Sequence, residues 1–431
     1  MRRYRRFERP KALLWGRAAH RLLRMRILFS WELGKNFGHV TQIAEVARPL
    51  AKRKAELFFA LQNPGLIRPF AEGFDYKVLQ APYYPVRSAA GKKRGPALIY
   101  PDDLRPCGYD SPADLAGLIL AWRSLFDLVK PDILVTQAAP TALLAARGYK
   151  FKKVAFGGGY NVPPRSSPMP LMRYWEKIDA ETIKKREEFV LGNVNQALSI
   201  AGLPKLKKFS DTLETDAEFL TTFAELDHYP DRAGSGKDKP KYYGPFYTLG
   251  SGAAVNWAKG KNKRIFAYIR PEARSFLPCL AALSRLPEDH DVIVSAPGIP
   301  PKAKEKLDKP HVRIIDGAVR LDKIIKGCDL GISHASSGIS AAFALNGVPQ
   351  LLLPGHIEQM MFAKAIGRTK SGRGLVGAVG PQQVSGLIGR MLGDESFNDA
   401  AKALAVKYKD FDPSELAEKI AGEIMKMGGK K

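Results

Sequence analysis

Short apolar runs alternate with stretches of helical period along this chain. Arg26–Trp31 (RILFSW) is apolar after its first residue apart from Ser30 and reads as a buried strand. A glycine-bearing turn spans 32–38. Val40, Ile43, Ala44, Ala47, Leu50 and Ala51 then recur at the spacing of one helix face. Residues 57–61 predict the next strand. Residues 132–136 (DILVT), introduced by Lys130-Pro131, predict another, followed by a small-residue helix over 141–147 and a strand at 154–156. Strands that alternate with helices predict parallel βαβ units.

The alternation stops between 230 and 263, a stretch loaded with Gly, Pro, Ser and Lys that includes Tyr243-Gly244-Pro245 and Gly250-Ser251-Gly252. It restarts with apolar strands at 264–269, 291–295, 312–315, 330–333 and 350–353. The pattern predicts an α/β chain with one domain over 25–246, a linker over 247–262 and a second domain over 263–431, their parallel sheets facing a cleft. A length of 431 residues fits two domains better than one core. Ligands of such sheets bind beyond the carboxyl ends of the strands.

Composition narrows the class. With 45% hydrophobic residues the chain can bury ample cores, which excludes wholesale disorder. The three cysteines, Cys107, Cys279 and Cys328, form no CxxC pair, so neither a disulfide framework nor a structural zinc site is supported. The longest apolar stretch of helical character, 115–122, falls far short of the roughly 20 residues that span a bilayer. The expectation is a soluble, cytoplasmic protein.

The charge is unusual: 68 Lys and Arg against 43 Asp and Glu, a net +25. It suggests an anionic partner, whether nucleic acid, a membrane surface or a phosphorylated ligand. Nine of the basic residues precede Met25, against Glu8 alone. This segment lacks the apolar core of a secretory signal. Leu13, Leu14, Ala18, Leu22 and Met25 fit one face of a membrane-surface helix. Because Met25 directly precedes the first strand, residues 1–24 are expected to be a basic leader outside the fold, disordered or an artefact of the assigned start. No aromatic-basic module is present, so no nucleic-acid partner is expected.

The segment richest in chemical signal is 328–365, CDLGISHASSGISAAFALNGVPQLLLPGHIEQMMFAKA. It reads as a strand, a small-residue turn from His334 to Gly338, a short helix, a stop at Gly347 and Pro349, and a second strand ending at Pro354. A helix N-terminus in that turn offers free N–H groups and a dipole that attract phosphate. Ala335, Ser336, Ser337 and Gly338 are small enough for a diphosphate to approach the backbone. Glu358 and Gln359 follow side by side in a loop at the same edge, a carboxylate and an amide able to hold sugar hydroxyls.

This segment resembles the donor-binding signature of the family 1, UDP-glycosyltransferase-like enzymes of GT-B fold: HGG-x-G-T-T-x-E-A-L-x-x-G-V-P, a strand, then P-x-x-x-D-Q. The chain is also similar to the peptidoglycan lipid N-acetylglucosaminyltransferases. The resemblance implies two Rossmann-like domains. It puts His334, Ser336, Ser337 and Gly338 on the nucleotide diphosphate, and Glu358 and Gln359 on the sugar. GKNFGHVTQ (34–42) resembles the family's G-x-G-H-x-x-P loop, with Gly38 before His39 and His39 at the catalytic-base position. A neutral imidazole suits the deprotonation of an acceptor hydroxyl. Tyr243-Gly244-Pro245 is similar to the Val-Gly-Pro that closes the family's amino-terminal domain.

Three positions depart from the family. Its ribose-binding Glu, eight residues after the motif histidine, is Ala342. The Asp that orients the catalytic histidine aligns near Gln137, whose amide supplies no charge; Glu32 is the candidate substitute carboxylate. The Gly-Ser loop after the first strand of the second domain is replaced by Tyr268-Ile269-Arg270-Pro271, and Arg270 is a candidate to neutralise the leaving diphosphate. Gly157-Gly158-Gly159 precedes Asn161-Val162-Pro163-Pro164, which forbids an immediate helix, so it reads as a flexible acceptor-side loop and not a dinucleotide fingerprint. His20, His228, His290 and His311 have no supporting context.

The expected activity is an inverting, metal-independent hexosyl transfer from a nucleoside-diphosphate sugar, with UDP as the expected nucleotide, to a hydroxyl acceptor, with His39 as base. The sugar nucleotide is a substrate, and no cofactor is expected. The excess charge keeps open a lipid-linked or anionic acceptor and peripheral contact with the inner face of a membrane. The alternatives are a non-catalytic nucleotide-sugar-binding auxiliary protein and a GT-B nucleotide-sugar epimerase, the latter needing cleft carboxylates such as Glu32 and Glu358.

Overall fold

The computed structural model describes residues 24–34, 37–85, 95–232, 239–250, 252–260, 263–307 and 309–428. Apart from Arg24, the basic leader lies outside them, as do Ser251 and residues 261–262 of the expected linker and the last three residues.

The first half runs β1 (Arg26–Trp31), α1 (Phe37–Lys52), β2 (Glu56–Leu61), β3 (Lys77–Gln80), α2 (Tyr100–Leu104), α3 (Pro112–Val129) and β4 (Ile133–Thr136). It continues through α4 (Pro140–Ala145), β5 (Lys152–Gly157), α5 (Ala180–Ile200) and β6 (Ala217–Leu220). The second half runs β7 (Lys263–Tyr268), α6 (Phe276–Leu283), β8 (His290–Ser295), α7 (Pro301–Leu307), β9 (Val312–Ile315) and β10 (Leu330–Ser333). It ends with α8 (Ser337–Leu345), β11 (Gln350–Leu352), α9 (Ile357–Arg368), β12 (Gly372–Gly374), α10 (Pro381–Gly393), α11 (Glu395–Lys407) and α12 (Pro413–Gly428).

Two six-stranded parallel sheets result, ordered β3-β2-β1-β4-β5-β6 and β12-β11-β10-β7-β8-β9. Each has the order of a doubly wound nucleotide-binding sheet. The central strands are apolar on both faces because helices cover both: Ile27 and Phe29 face one apolar cluster and Leu28 the other. The edge strands β3, β6 and β12 escaped the hydrophobic pattern, whereas the edge strand β9 did not. β3 is mostly exposed, and β12 is Gly-Arg-Gly, where a Cβ on Gly372 would overlap the Gln350 carbonyl.

The expected domain limits acquire two structural details. Tyr242, shortly before the expected linker, bridges to Leu220 of β6, and Ala253 within it bridges to Val319, beyond the end of β9. The second unit, expected to run to the chain's end, gives up its last helix. Leu416, Ile420, Ala421 and Ile424 recur on one face of α12 and pack into the cluster of the first sheet with Val40, Ile43 and Ala47 of α1. Arg53 pairs with Glu418 at 2.7 Å across this contact.

The halves meet at several points. Phe223, after β6, stacks on Tyr408 with ring centroids 3.6 Å apart, and Glu225 binds Lys407 and the Tyr408 hydroxyl. Arg368 at the end of α9 donates to the Asp227 carbonyl at 2.7 Å and to the Tyr174 hydroxyl at 2.6 Å. Gly244 has φ +88°, and a Cβ there would overlap the Phe411 ring, so the Tyr243-Gly244-Pro245 turn requires glycine. No helix among the described residues is long and apolar enough to cross a membrane.

Candidate active site

Each sheet has its topological switch between its first and fourth strands, β1 beside β4 and β7 beside β10. Crevices at such switches receive ligands. The candidate residues gather there.

On the first sheet, α1 begins at Phe37, so His39 lies in its first turn and not in a preceding loop. Its Nδ1 is 2.5 Å from Oε1 of Gln137, just beyond β4. The Gln137 amide nitrogen donates to Oε1 of Gln42 at 3.3 Å, which turns its oxygen toward His39. The proton therefore sits on Nδ1, and the Nε2 lone pair is free to accept one. Trp31 stacks on the ring with centroids 5.6 Å apart. Gly34, at φ +91°, crosses close to Nε2, where a Cβ would overlap that atom. Burial holds the imidazole below its usual range, against the opposing effect of the Gln137 bond. The helix N-terminus also favours the neutral ring. Gly38, one residue earlier, is exposed with open space around its Cα.

Glu32 does not take the part of orienting carboxylate. It is 2% exposed, accepts the Trp122 indole N–H at 2.9 Å and caps α4 through the Thr141 N–H. Burial pushes its carboxyl up to about 8, against the lowering effect of those donors. The neutral amide of Gln137 has the place beside His39.

On the second sheet, His334 follows β10 but offers no free N–H to a diphosphate. Its Nε2 accepts the Arg270 backbone N–H at 2.8 Å, and its Nδ1 donates to the Leu353 carbonyl at 3.3 Å. The ring thus ties together the ends of β7, β10 and β11. Ala335 adopts φ +63°, a left-handed conformation that is strained for any residue with a Cβ. It turns the chain into α8, whose N-cap is Ser336. The Ser336 side chain makes no capping bond, so the N–H groups of Ser337 and Gly338 in the first turn are left for a ligand. Arg270 lies beside this turn, its guanidinium 3.2 Å from Glu272. Ala342 is fully buried among Phe266, Phe343 and Val348, so that position presents nothing to a ribose.

Glu358 and Gln359 lie in the first turn of α9 and not in a loop. Gln359 accepts the Gly355 N–H at 2.8 Å, an N-terminal capping contact that commits its oxygen. Glu358 faces a narrow cavity between the two halves. Burial, aided by the negative charge of Asp103, pushes its carboxyl up to about 7. Asp103, in turn, accepts from the Tyr160 hydroxyl. His356, the N-cap of α9, is 3.8 Å from Glu358.

The cavity also exposes what the sequence concealed. His228 lines it, 2% exposed, with neither ring nitrogen hydrogen-bonded. Its neighbour Asp227 forms a buried ion pair with Arg232 at 2.5 Å, and Arg232 donates to the carbonyls of Gly159 and Val162. The triple-glycine loop is therefore pinned, not flexible. A Cβ on Gly159 would overlap the Asp227 carboxylate, and one on Gly158 would lie 3.5 Å from His228. That a glycine loop and an Asp-His pair 70 residues apart need each other is the one signal in the sequence, and it is legible only once β5 and β6 are known to be neighbours. Among the described residues, no group of three or more His, Cys, Asp or Glu is placed to hold a metal ion.

No protein-family model matches this chain, and neither does any curated protein. Solved structures do. The calicheamicin glycosyltransferase CalG4 superposes with a TM-score of 0.67 at 15% identity, over 95% of this chain and 99% of that one. The kitacinnamycin glycosyltransferase gives 0.66 at 14%, over 94% and 99%. The glycosyltransferase VinC, solved in complex with DTDP, gives 0.63 at 14%, over 94% and 100%. The fold is GT-B. The full-length match to these chains means that both sheets and the cleft between them belong to one GT-B architecture.

Proposed function

We propose that this protein is an inverting glycosyltransferase, similar to family 1 enzymes, that moves a hexosyl group from a nucleoside-diphosphate sugar to a hydroxyl acceptor. The observation that carries the reading is the pairing of His39 with Gln137, which leaves Nε2 as a base at the first switch point, across the cleft from an uncapped helix N-terminus at the second. The GT-B neighbours support it: all three are named as glycosyltransferases, and one holds DTDP. UDP is the nucleotide we favour from the donor signature, with thymidine diphosphate as the comparison suggested by VinC.

In this reading the diphosphate meets the N–H groups of Ser337 and Gly338, and the Arg270 guanidinium balances its charge. His334 acts indirectly by holding the Arg270 turn. Glu358 and the amide N–H₂ of Gln359 bind sugar hydroxyls. The acceptor hydroxyl enters over the first sheet. As its oxygen bonds to the anomeric carbon, its proton passes to Nε2 of His39. The bond from that carbon to the diphosphate oxygen breaks, and its electron pair leaves with the diphosphate. A single in-line displacement inverts the anomeric centre. The imidazolium then returns its proton to solvent. A lipid-linked or anionic acceptor, met at the inner face of a membrane, would account for the positive charge beyond what one diphosphate requires.

The epimerase alternative needs paired carboxylates on one sugar, and the engagement of Glu32 with Trp122 and Thr141 weighs against it. Incubation with a panel of UDP- and thymidine-diphosphate sugars, followed by separation of the products, tests the proposal. Release of nucleoside diphosphate supports transfer chemistry. An epimerised nucleotide sugar overturns it.

A further inference from the structure

Two side chains in the wall of the cleft cavity are buried without a hydrogen-bond partner. They are His228, at both ring nitrogens, and Thr221, at Oγ1. They are 2% and 5% exposed. Buried polar groups left unsatisfied lower folding stability, so such groups in a native chain call for a partner that arrives later. The His228 ring is oriented by packing alone. Phe362 of the second half lies 5.4 Å from it and Tyr160 lies 6.0 Å away, while Gly158 abuts its edge. Any hydrogen bond it makes goes to something that enters the cavity.

The chemistry of that visitor follows from the wall. Burial keeps the His228 imidazole neutral, with its pKa lowered to about 4, so it offers one donor and one acceptor and no charge for a phosphate. Thr221 adds a hydroxyl. The opposite wall holds Ser337 at the start of α8 and Glu358 at the start of α9. Hydroxyl groups match His228, Thr221 and Glu358, and an anion does not; the cavity of about 20 Å³ holds one water-sized group, so a sugar enters with the two halves further apart.

We propose that His228 and Thr221 bind hydroxyls of the transferred sugar from the first half of the protein, opposite Glu358, and that His228 discriminates between sugars. The proposal rests on the nucleotide-sugar reading above. The sugar is then gripped by both halves, and its arrival satisfies groups that folding leaves bare.

Calorimetric titration of the full chain with UDP, thymidine diphosphate, UDP-glucose, UDP-N-acetylglucosamine and thymidine-diphosphate glucose tests it. His228→Phe keeps the ring volume among Phe362 and Tyr160. It is expected to bind bare diphosphate as the wild type does and to lose about tenfold in affinity for the nucleotide sugar, the worth of about one good hydrogen bond. The unliganded variant is expected to melt at a higher temperature than the wild type. Thr221→Val, which preserves shape, gives the same selective loss and serves if His228→Phe does not fold. An unchanged ratio of the two affinities overturns the proposal, including the case in which these residues touch the acceptor. An equal loss for both ligands also overturns it. A wild type that binds none of the five probes removes the nucleotide-sugar reading itself, an outcome distinct from an unchanged ratio in a protein that binds.

Discussion

His39 and Gln137 are 98 residues apart in the chain and meet at 2.5 Å between Nδ1 and Oε1. The amide fixes the tautomer of the ring without adding a charge, and burial holds the imidazole below its usual range, against the opposing effect of the Gln137 bond. Introducing a carboxylate at that position alters this. Gln137→Glu stabilises the imidazolium and is expected to raise the His39 pKa by about one unit or more. A base must be unprotonated, so the acid limb of kcat/KM moves to higher pH, and activity at pH 6 falls more than activity at pH 8. The pH profile of kcat/KM reads this directly.

The turn into α8 separates stability from binding. Gly338 has ordinary backbone angles, and a Cβ there would meet nothing nearer than the Phe246 carbonyl at 3.9 Å. Gly338→Asp places a negative charge in the first helical turn and is expected to raise stability by about 0.3–1 kcal/mol. The same charge repels a diphosphate and is expected to weaken UDP binding at least about tenfold. Thermal melting with and without UDP shows both effects: a higher baseline and a smaller ligand-induced shift.

Gly159 fits against the Asp227–Arg232 pair with no room for a methyl group. Gly159→Ala is expected to part that buried pair and to cost about 3 kcal/mol. The midpoint of urea unfolding measures it, and a shift below about 1 kcal/mol would show that the loop accommodates the methyl.

The origin of each residue's role decides how much could be read in advance. The positions of His39, of the turn Ser336–Gly338 and of the pair Glu358-Gln359 can be read from sequence because each follows the carboxyl end of a strand, where local pattern reports place but not chemical role. Gln137 was legible for the same reason at the end of β4. Glu32 was misassigned because sequence shows that a carboxylate is near a strand end but not that Trp122, 90 residues away, donates to it. His334 looked like a ligand contact because its two backbone partners come from other strands. α12 shows an amphipathic face, which demands a covering surface without naming which sheet supplies it. His228 was invisible altogether: a lone histidine gains meaning only when Tyr160 and Phe362 enclose it and leave its nitrogens bare.

Glu32 carries a pH signature of its own. Its carboxyl is raised from 4.5 to about 8 in the folded protein, so the folded state holds the proton more tightly than the unfolded chain. Its contribution is complete below about pH 4.5 and is lost as pH rises toward 8, with a slope of at most about 1.4 kcal/mol per pH unit. Glu32→Gln retains one acceptor for two donors and is expected to destabilise by about 1–3 kcal/mol at pH 5. The gap to the wild type narrows as pH rises to 8. Denaturant titrations at the two pH values check the sign.

The central claim is that Nε2 of His39 is the base for sugar transfer from a donor held at α8. The most direct measurement is nucleoside-diphosphate release from a nucleotide sugar that the protein binds, compared between wild type and His39→Ala, with calorimetric affinity for the diphosphate measured in parallel. The account predicts that release falls by about 10²–10⁴-fold while diphosphate affinity stays unchanged. Equal release by both proteins, or loss of diphosphate binding in the variant, would contradict it.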